Sequence, residues 1–407
     1  MRRYLRWLVA LLLVLVVTGC ASTPGPGAAP APTRQATGAT QAPGTSLPSS
    51  SATATALLPE SSIPGLHLPP GFQISVYARG LSTPRFMTIG PNGVLLVANR
   101  AGSNVVALLP GPSPRQPAAV RSLVNGLNSP TSLDMDDGYL YIGEAGSVAR
   151  VKLGPDLRPG PVERIITDLP VGGQHSTRTV LIGPDHRIYV SIGSDCNVCQ
   201  EADPHRAAVW VYERDGSHGR LYARGLRNAV GMAVNPWNKQ IWVTNNGRDY
   251  LGDDLPPETV YRLVDQGDYG WPRCHAGNIP DPEFGRSAQA CQGVQAPLVT
   301  IQAHSAPLGL AFYPTDASQF PPAYRSALYI ALHGSWNRSV PTGYKVVRVP
   351  LNNGQVAGPP QDFITGWLQA DGKVTGRPVG VTVAPDGTLF VSDDTFGLIY
   401  HIWYRQG

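Results

Sequence analysis

The chain has 407 residues, with 32 Lys and Arg against 28 Asp and Glu, a formal net charge of +4. Gly and Pro number 45 and 40, too many for a mainly helical protein, because both disfavour helix interiors. An apolar fraction of 42% excludes a wholly disordered chain, and the small positive charge is not clustered, which argues against nucleic acid as a partner.

A basic start, Met-Arg-Arg-Tyr-Leu-Arg, leads into an apolar run over residues 7–17. That run is shorter than the ~20 residues a membrane-spanning helix needs, and it reads as a secretory signal over residues 1–20. Its end, Val17-Thr18-Gly19-Cys20, resembles a bacterial lipobox, which implies Cys20 as a lipidated N-terminus. Residues 21–62 are almost entirely Ala, Ser, Thr, Pro, Gly and Gln, and read as a disordered tether. The expectation is an exported lipoprotein, periplasmic or at the cell surface, held to a membrane through its N-terminal lipid. A globular domain then occupies 63–407.

Within that domain a short apolar strand, a tight Pro/Asp/Gly turn and a second apolar strand recur. The copies fall at 86–100, 132–145, 180–193 and 231–246. A fifth, at 309–314, resumes at 327–334, and the sixth runs over 381–394. Six similar hairpins predict an all-β, six-bladed propeller rather than a sandwich. The wider spacing between the turns near 236 and 314 predicts an insertion holding residues 249–258 and two cysteines.

Apart from Cys20 the cysteines are Cys196, Cys199, Cys274 and Cys291. An exported chain favours the disulfides Cys196–Cys199 and Cys274–Cys291, with structural zinc as the alternative.

A hairpin brings its open ends together, so residues before the first strand and after the second must meet at one end of each blade. Before the first strands stand Arg85, His175, Arg227 with Asn228, and Arg377. After the second strands stand Asn99 with Arg100, Glu144, Asp195, Asn246 with Gly247, His333, and Asp393 with Asp394. Six blades would aim these loops at one axial pocket, predicting a cationic, histidine-containing basin. His67, His205, His218 and His275 fall outside the pattern and read as surface or structural.

At these residues the chain resembles the quinoprotein sugar dehydrogenases, in particular the sorbosone and pyranose dehydrogenase branch of the glucose/sorbosone dehydrogenase family. The motifs that carry the likeness are GQHSTRT (173–179), SIGSDCNVC (191–199), YARGLRNAVGMAVNP (222–236), NNGRDYLGDDLPPE (245–258), DYGWPRC (268–274), HGSWNRS (333–339) and GRPVGVTVAPDG (376–387). The resemblance implies pyrroloquinoline quinone (PQQ) and calcium as cofactors and a small-molecule sugar, an aldose or sugar aldehyde, as substrate. It implies His175 as the general base that takes the sugar hydroxyl proton as hydride passes to the quinone. Arg227 and Asn228 would contact the quinone oxygens, Arg377 would pair with a cofactor carboxylate, and Arg85, His333 and Arg338 would line the same pocket. Backbone carbonyls of Gly247 and Arg248 would bind calcium, with Asp253, Asp254 and Glu258 in an acidic segment behind them.

The chemistry of these residue types is consistent with those roles. Arginine forks suit planar carboxylates, calcium takes backbone carbonyls, and a neutral imidazole suits proton abstraction. Gln200 follows Cys199, so no haem-attachment C-x-x-C-H occurs, and electrons must pass to an external acceptor, a quinone or cytochrome. The competing expectations are a calcium-dependent lactonase and a cofactor-less ligand-binding propeller.

Overall fold

The computed structural model describes residues 60–111 and 117–405. Cys20, the signal segment 1–20 and the linker up to residue 59 lie outside the described residues. Residues 60–62 were expected in the linker but are tied to the domain. Glu60 bridges to His67, and Ser62 Oγ donates to Ile74 O at 2.8 Å. Among the described residues no helix is long and apolar enough to cross a membrane.

The described chain folds into six blades, antiparallel except where Gly267–Asp268 adds parallel to Arg220–Arg224 at the edge of the third. Their innermost strands are Pro84–Ile89, Ser132–Asp136, Arg178–Ile182, Ala229–Val234, Pro307–Tyr313 and Pro378–Val383. Each touches the innermost strand of the blade on either side, and the sixth returns to the first, so the ring is closed.

Five of the second strands, among them Leu95–Asn99, Ile188–Ile192, Ile241–Asn245 and Leu389–Asp393, are buried at every position, and Tyr139–Gly143 at all but its first. Neighbouring blades cover both faces of each sheet, which explains why these strands read as continuous apolar runs. Near the axis the blades approach so closely that a Cβ on Gly231 would stand 2.1 Å from Leu308 O. Hydroxyls bridge adjacent blades there, with Ser132 Oγ donating to Arg178 O at 3.0 Å and Thr244 Oγ1 to Leu308 O at 2.7 Å.

Two features were not read from the sequence. The last blade combines Pro378–Val383, Leu389–Asp393 and Leu398–Tyr404 with the N-terminal strand Phe72–Ala78, which pairs antiparallel to Leu398–Tyr404. Pairing the two ends of the domain completes the blade with an outermost strand and fastens the ring. The expected single insertion is two excursions from blade 4. One follows its second strand over 246–257. The other runs from 263 to 298 and carries a small hairpin, Cys274–His275 with Ile279–Pro280.

Both disulfides are formed, Cys196–Cys199 and Cys274–Cys291, with Cα atoms 6.2 and 5.3 Å apart. Bonded sulfurs are not zinc ligands, so the zinc alternative falls.

Four innermost strands shift register just after they begin, between Pro84 and Met87, Ala229 and Met232, Pro307 and Leu310, and Pro378 and Val381. Such bulges re-aim side chains at a strand end. They fall where Arg85, Arg227 and Arg377 enter the ring.

Candidate active site

At the open-end rim the blades surround a cavity of about 480 Å³, within the range of small-molecule sites. Arg85, His175, Arg227, Asn228, Gly247, His333 and Arg377 all line it. Its floor includes Leu308, which belongs to a small buried cluster with Phe86, Val230 and Val379. Beyond that plug a second axial cavity opens, lined by Phe86, Met87, Asp134 and Met232 among others.

His175 is held by the loop that follows the second strand of its own blade. Its Nδ1 lies 2.9 Å from both Ser194 O and Ser194 Oγ. The carbonyl can only accept, so Nδ1 carries the hydrogen and Nε2 keeps its lone pair, an assignment made from the hydrogen-bond pattern. Burial, then the charges of Arg227 and Arg206, lower the imidazole to about 3, against the pull of the Ser194 hydrogen bond. The ring is therefore neutral at physiological pH. Buried Arg178 fastens the approach, donating to His175 O at 3.1 Å, Thr177 O at 2.8 Å and Pro170 O.

The three arginines are not equivalent. Arg85 Nη1 donates to Asp394 Oδ2 at 2.6 Å, and Asp394 Oδ1 also accepts from His333 Nε2 at 3.0 Å. Burial raises the Asp394 carboxyl, but His333 and Arg85 together outweigh it and hold the group well below the usual carboxylate range. Arg227 Nη2 donates to Asp249 Oδ2 at 2.7 Å. Among the described residues the Arg377 guanidinium donates only to carbonyls, His333 O at 3.2 Å and Gly334 O at 3.4 Å, and it stands over the Tyr344 ring. The expected basin is thus less cationic than a count of arginines suggests, because two of the three are neutralised in place.

Glu258 opens the third strand of blade 4 and lines the same cavity. Its Oε2 accepts the Gly247 amide at 2.6 Å and its Oε1 the Ala306 amide at 3.3 Å. Burial pushes this carboxyl up to about 7 against those hydrogen bonds and Arg227.

The expectations for Arg338 and Glu144 are corrected. Arg338 does not line the cavity. Its Nε donates to Val340 O at 2.9 Å and its Nη1 to Asp254 Oδ1 at 3.2 Å and to Asp253 O, so it clasps the 253–254 segment. Arg248 was expected to offer its backbone carbonyl, and its side chain is engaged away from the cavity. Its guanidinium reaches Asp281 at 2.5 Å and Glu283 at 2.7 Å, and Asp281 also bonds His275 at 2.8 Å. Glu144 caps its own blade, pairing with Arg164 at 2.9 Å and accepting the Asn128 amide at 2.6 Å.

Sequence reasoning missed Asn197, Asp249, Asn337, His304, Tyr250 and Trp336, which also line the cavity. Tyr250 and Trp336 are exposed and meet edge to face with ring centres 5.6 Å apart.

Two observations test whether these residues fit an anionic quinone. Among the described residues Asn228 Oδ1, Asn337 Oδ1 and Arg85 Nε are buried without a hydrogen-bond partner, and such polar atoms are costly unless a ligand meets them. Arg377 presents a guanidinium that no carboxylate of the described residues occupies. Arg85 Nε and Arg377 fit a ligand carrying carboxylate and carbonyl oxygens, whereas the two amide oxygens only accept and call for a ligand N–H or O–H, or for a cation. Three guanidinium charges against Asp394 and Asp249 leave the cavity close to neutral, so a tricarboxylate calls for a further cation. Gly247 and Glu258 supply the carbonyl and carboxylate oxygens that calcium prefers.

Residues 66–405 match the TrAA12-like family. The chain is 26% identical over 410 residues to a pyrroloquinoline quinone-dependent pyranose dehydrogenase of Coprinopsis cinerea, covering 83% of this chain and 54% of that protein. It therefore spans about half the length of that relative. It is similar in fold to the holo form of the pyranose dehydrogenase PQQ domain from Coprinopsis cinerea, with a TM-score of 0.72, 23% identity, and 85% and 98% of the two chains covered. It is likewise similar to the calcium structure of Trichoderma reesei Carbohydrate-Active Enzymes Family AA12, with a TM-score of 0.71, 23% identity, and 84% and 98% covered.

Proposed function

The chain belongs to the TrAA12-like family, and from that premise we propose that it oxidises a sugar with PQQ and calcium and passes the electrons to an external acceptor. The observation that carries this reading is the meeting of a neutral His175, its Nδ1 tied to Ser194, with Arg227, Asn228 and Arg377 around one cavity. The pyranose dehydrogenase relative supports the substrate class and PQQ, and the calcium structure of the AA12 relative supports calcium. When bound, PQQ supplies the hydride acceptor and calcium the Lewis acid beside it.

The chain's own part follows from its geometry. His175 Nε2 accepts the proton of the sugar hydroxyl, and burial keeps the ring neutral and ready to do so. Arg377 binds a cofactor carboxylate in the fork geometry its guanidinium offers. Arg227 and Asn228 present N–H groups to the quinone end. The carbonyl of Gly247 and, beside it, that of Arg248 hold the calcium, with Glu258 placed to share it. Tyr250 and Trp336 stand at the mouth, where a sugar enters. The N-terminal segment ending at Cys20 would export the enzyme and anchor it to a membrane.

Reconstitution tests the reading. Purified protein is given PQQ and calcium, then a panel of aldoses and sugar aldehydes with a dye acceptor. Dye reduction that needs both additives is expected. Lactone hydrolysis without PQQ, or sugar binding that never leads to turnover, would overturn it in favour of the lactonase or the binding propeller.

A further inference from the structure

Residues 194–199 follow the second strand of blade 3, and the disulfide Cys196–Cys199 closes a short ring within them. Asn197 sits inside that ring. Its Oδ1 accepts from Arg227 Nη2 at 2.9 Å and from the Asp249 amide at 2.8 Å. Its Nδ2 donates to Asp249 O at 3.1 Å, and its backbone oxygen accepts from Arg227 Nε at 2.9 Å and Trp271 Nε1 at 3.3 Å. One residue thus ties together the entry to blade 4 and both of that blade's excursions. The ring also reaches His175, because Ser194 Oγ donates to Cys196 O at 2.6 Å and contacts His175 Nδ1 at 2.9 Å.

We propose that Asn197 is a positioning residue for Arg227, and that the Cys196–Cys199 ring is the brace that keeps Arg227 and His175 in register. Asn197 occupies the Nε side of the guanidinium and shares Nη2 with Asp249. That leaves Nη1, whose contact with Asn246 O is 3.5 Å, as the end free to meet a ligand. Without the Asn197 side chain the guanidinium can turn both ends onto Asp249 and withdraw Nη1 from the cavity. Without the disulfide, the backbone that aims both Asn197 oxygens at Arg227 is no longer constrained, and small misplacements at a reacting centre cost heavily. Both cysteines are half-buried, within reach of a reductant.

What Arg227 meets in the cavity rests on the function proposed above, whereas the brace does not, and the test separates the two. In ligand-free protein, hydrogen–deuterium exchange at the Asp249 amide is compared among wild type, Asn197→Ala, the pair Cys196→Ser with Cys199→Ser, and the triple variant. Loss of the disulfide alone is expected to speed that exchange about tenfold, and the triple variant to be no faster than Asn197→Ala. PQQ affinity, titrated by absorbance with calcium present, should weaken about tenfold in each and non-additively in the triple variant, while sugar KM at saturating PQQ stays unchanged. If the cysteine pair fails to fold, mild reduction of the folded wild type replaces it. Unchanged exchange at Asp249 on breaking the disulfide, or additive losses of affinity, would overturn the brace. A wild type that binds no PQQ would sink the proposed function, while the exchange experiment would still decide the brace.

Discussion

Arg85 and Asp394 form a buried pair, 2.6 Å apart, with side chains only 7% and 12% exposed. Their strands lie at opposite ends of the domain sequence, in the first and last blades, so the pair helps join the seam of the ring. Asp394→Asn leaves Arg85 charged in a site that cannot solvate it. Breaking one half of such a pair costs about 3–5 kcal/mol, and the retained amide oxygen should hold the loss near the lower end. Denaturant unfolding measures it, and Arg85→Met added to Asp394→Asn should recover part of the loss. The Asp394 carboxyl is depressed in the folded state. Its contribution is therefore present above its unfolded value of about 4 and disappears as pH falls further. Unchanged stability in Asp394→Asn would mean the pair contributes nothing.

His175→Ala should reduce kcat by about 10²–10⁴-fold while PQQ affinity changes little, because in the proposed reaction the imidazole acts on the sugar proton. The wild-type pH profile carries a sharper test. A base must be unprotonated, and burial holds His175 at about 3. Activity due to this group should stay level as pH falls from neutrality and drop only near that value. A limb near 6.5 that persists in Glu258→Gln would place the essential base elsewhere.

Arg377→Met and Arg338→Met should separate cleanly. Among the described residues Arg377 has no carboxylate partner and lines the cavity, so its loss should remove the proposed charge-assisted contact, worth about 1.5–3 kcal/mol. That corresponds to a roughly 10–100-fold weaker PQQ dissociation constant. Arg338 fastens residues 253–254 outside the cavity, and its loss should leave PQQ affinity within about twofold. Equal effects of the two substitutions would restore Arg338 to the binding site.

The hairpins were legible because each second strand is covered on both faces, which forces unbroken runs such as Leu95–Asn99. Phe72–Ala78 gave no such signal, since its partner Leu398–Tyr404 comes from the far end of the chain and no local turn joins them. The resemblance to the quinoprotein sugar dehydrogenases is borne out by the family match. In the cavity, His175, Arg227 and Arg377 were readable from matching places in the repeat. Asp249 and Tyr250 sit in the first excursion of blade 4 and Asn337 in the loop after the second strand of blade 5, segments whose path no periodicity encodes. Asn197 was hidden for another reason: between two cysteines it looked like part of a staple. Carboxylate partners escaped as well, because Asp394 and Asp249 reduce the positive charge only once the blades have brought them to Arg85 and Arg227.

Calcium and PQQ should bind cooperatively. Arg85 and Arg227 are already paired, so the protein's own charges leave a tricarboxylate largely uncompensated. A divalent cation beside Gly247 and Glu258 supplies the missing charge, and the anion in turn makes the cation site more favourable. Linkage requires the two enhancements to be equal. Calcium should therefore tighten PQQ by about 10–100-fold, and PQQ should tighten calcium by the same factor. Titrating PQQ with calcium or with chelator, and calcium with or without PQQ, gives both sides of the cycle. Glu258→Gln keeps an oxygen but removes a charge, so it should weaken calcium and narrow the cooperativity. PQQ affinity that is identical in calcium and in chelator would refute the charge argument even if the enzyme still turned over.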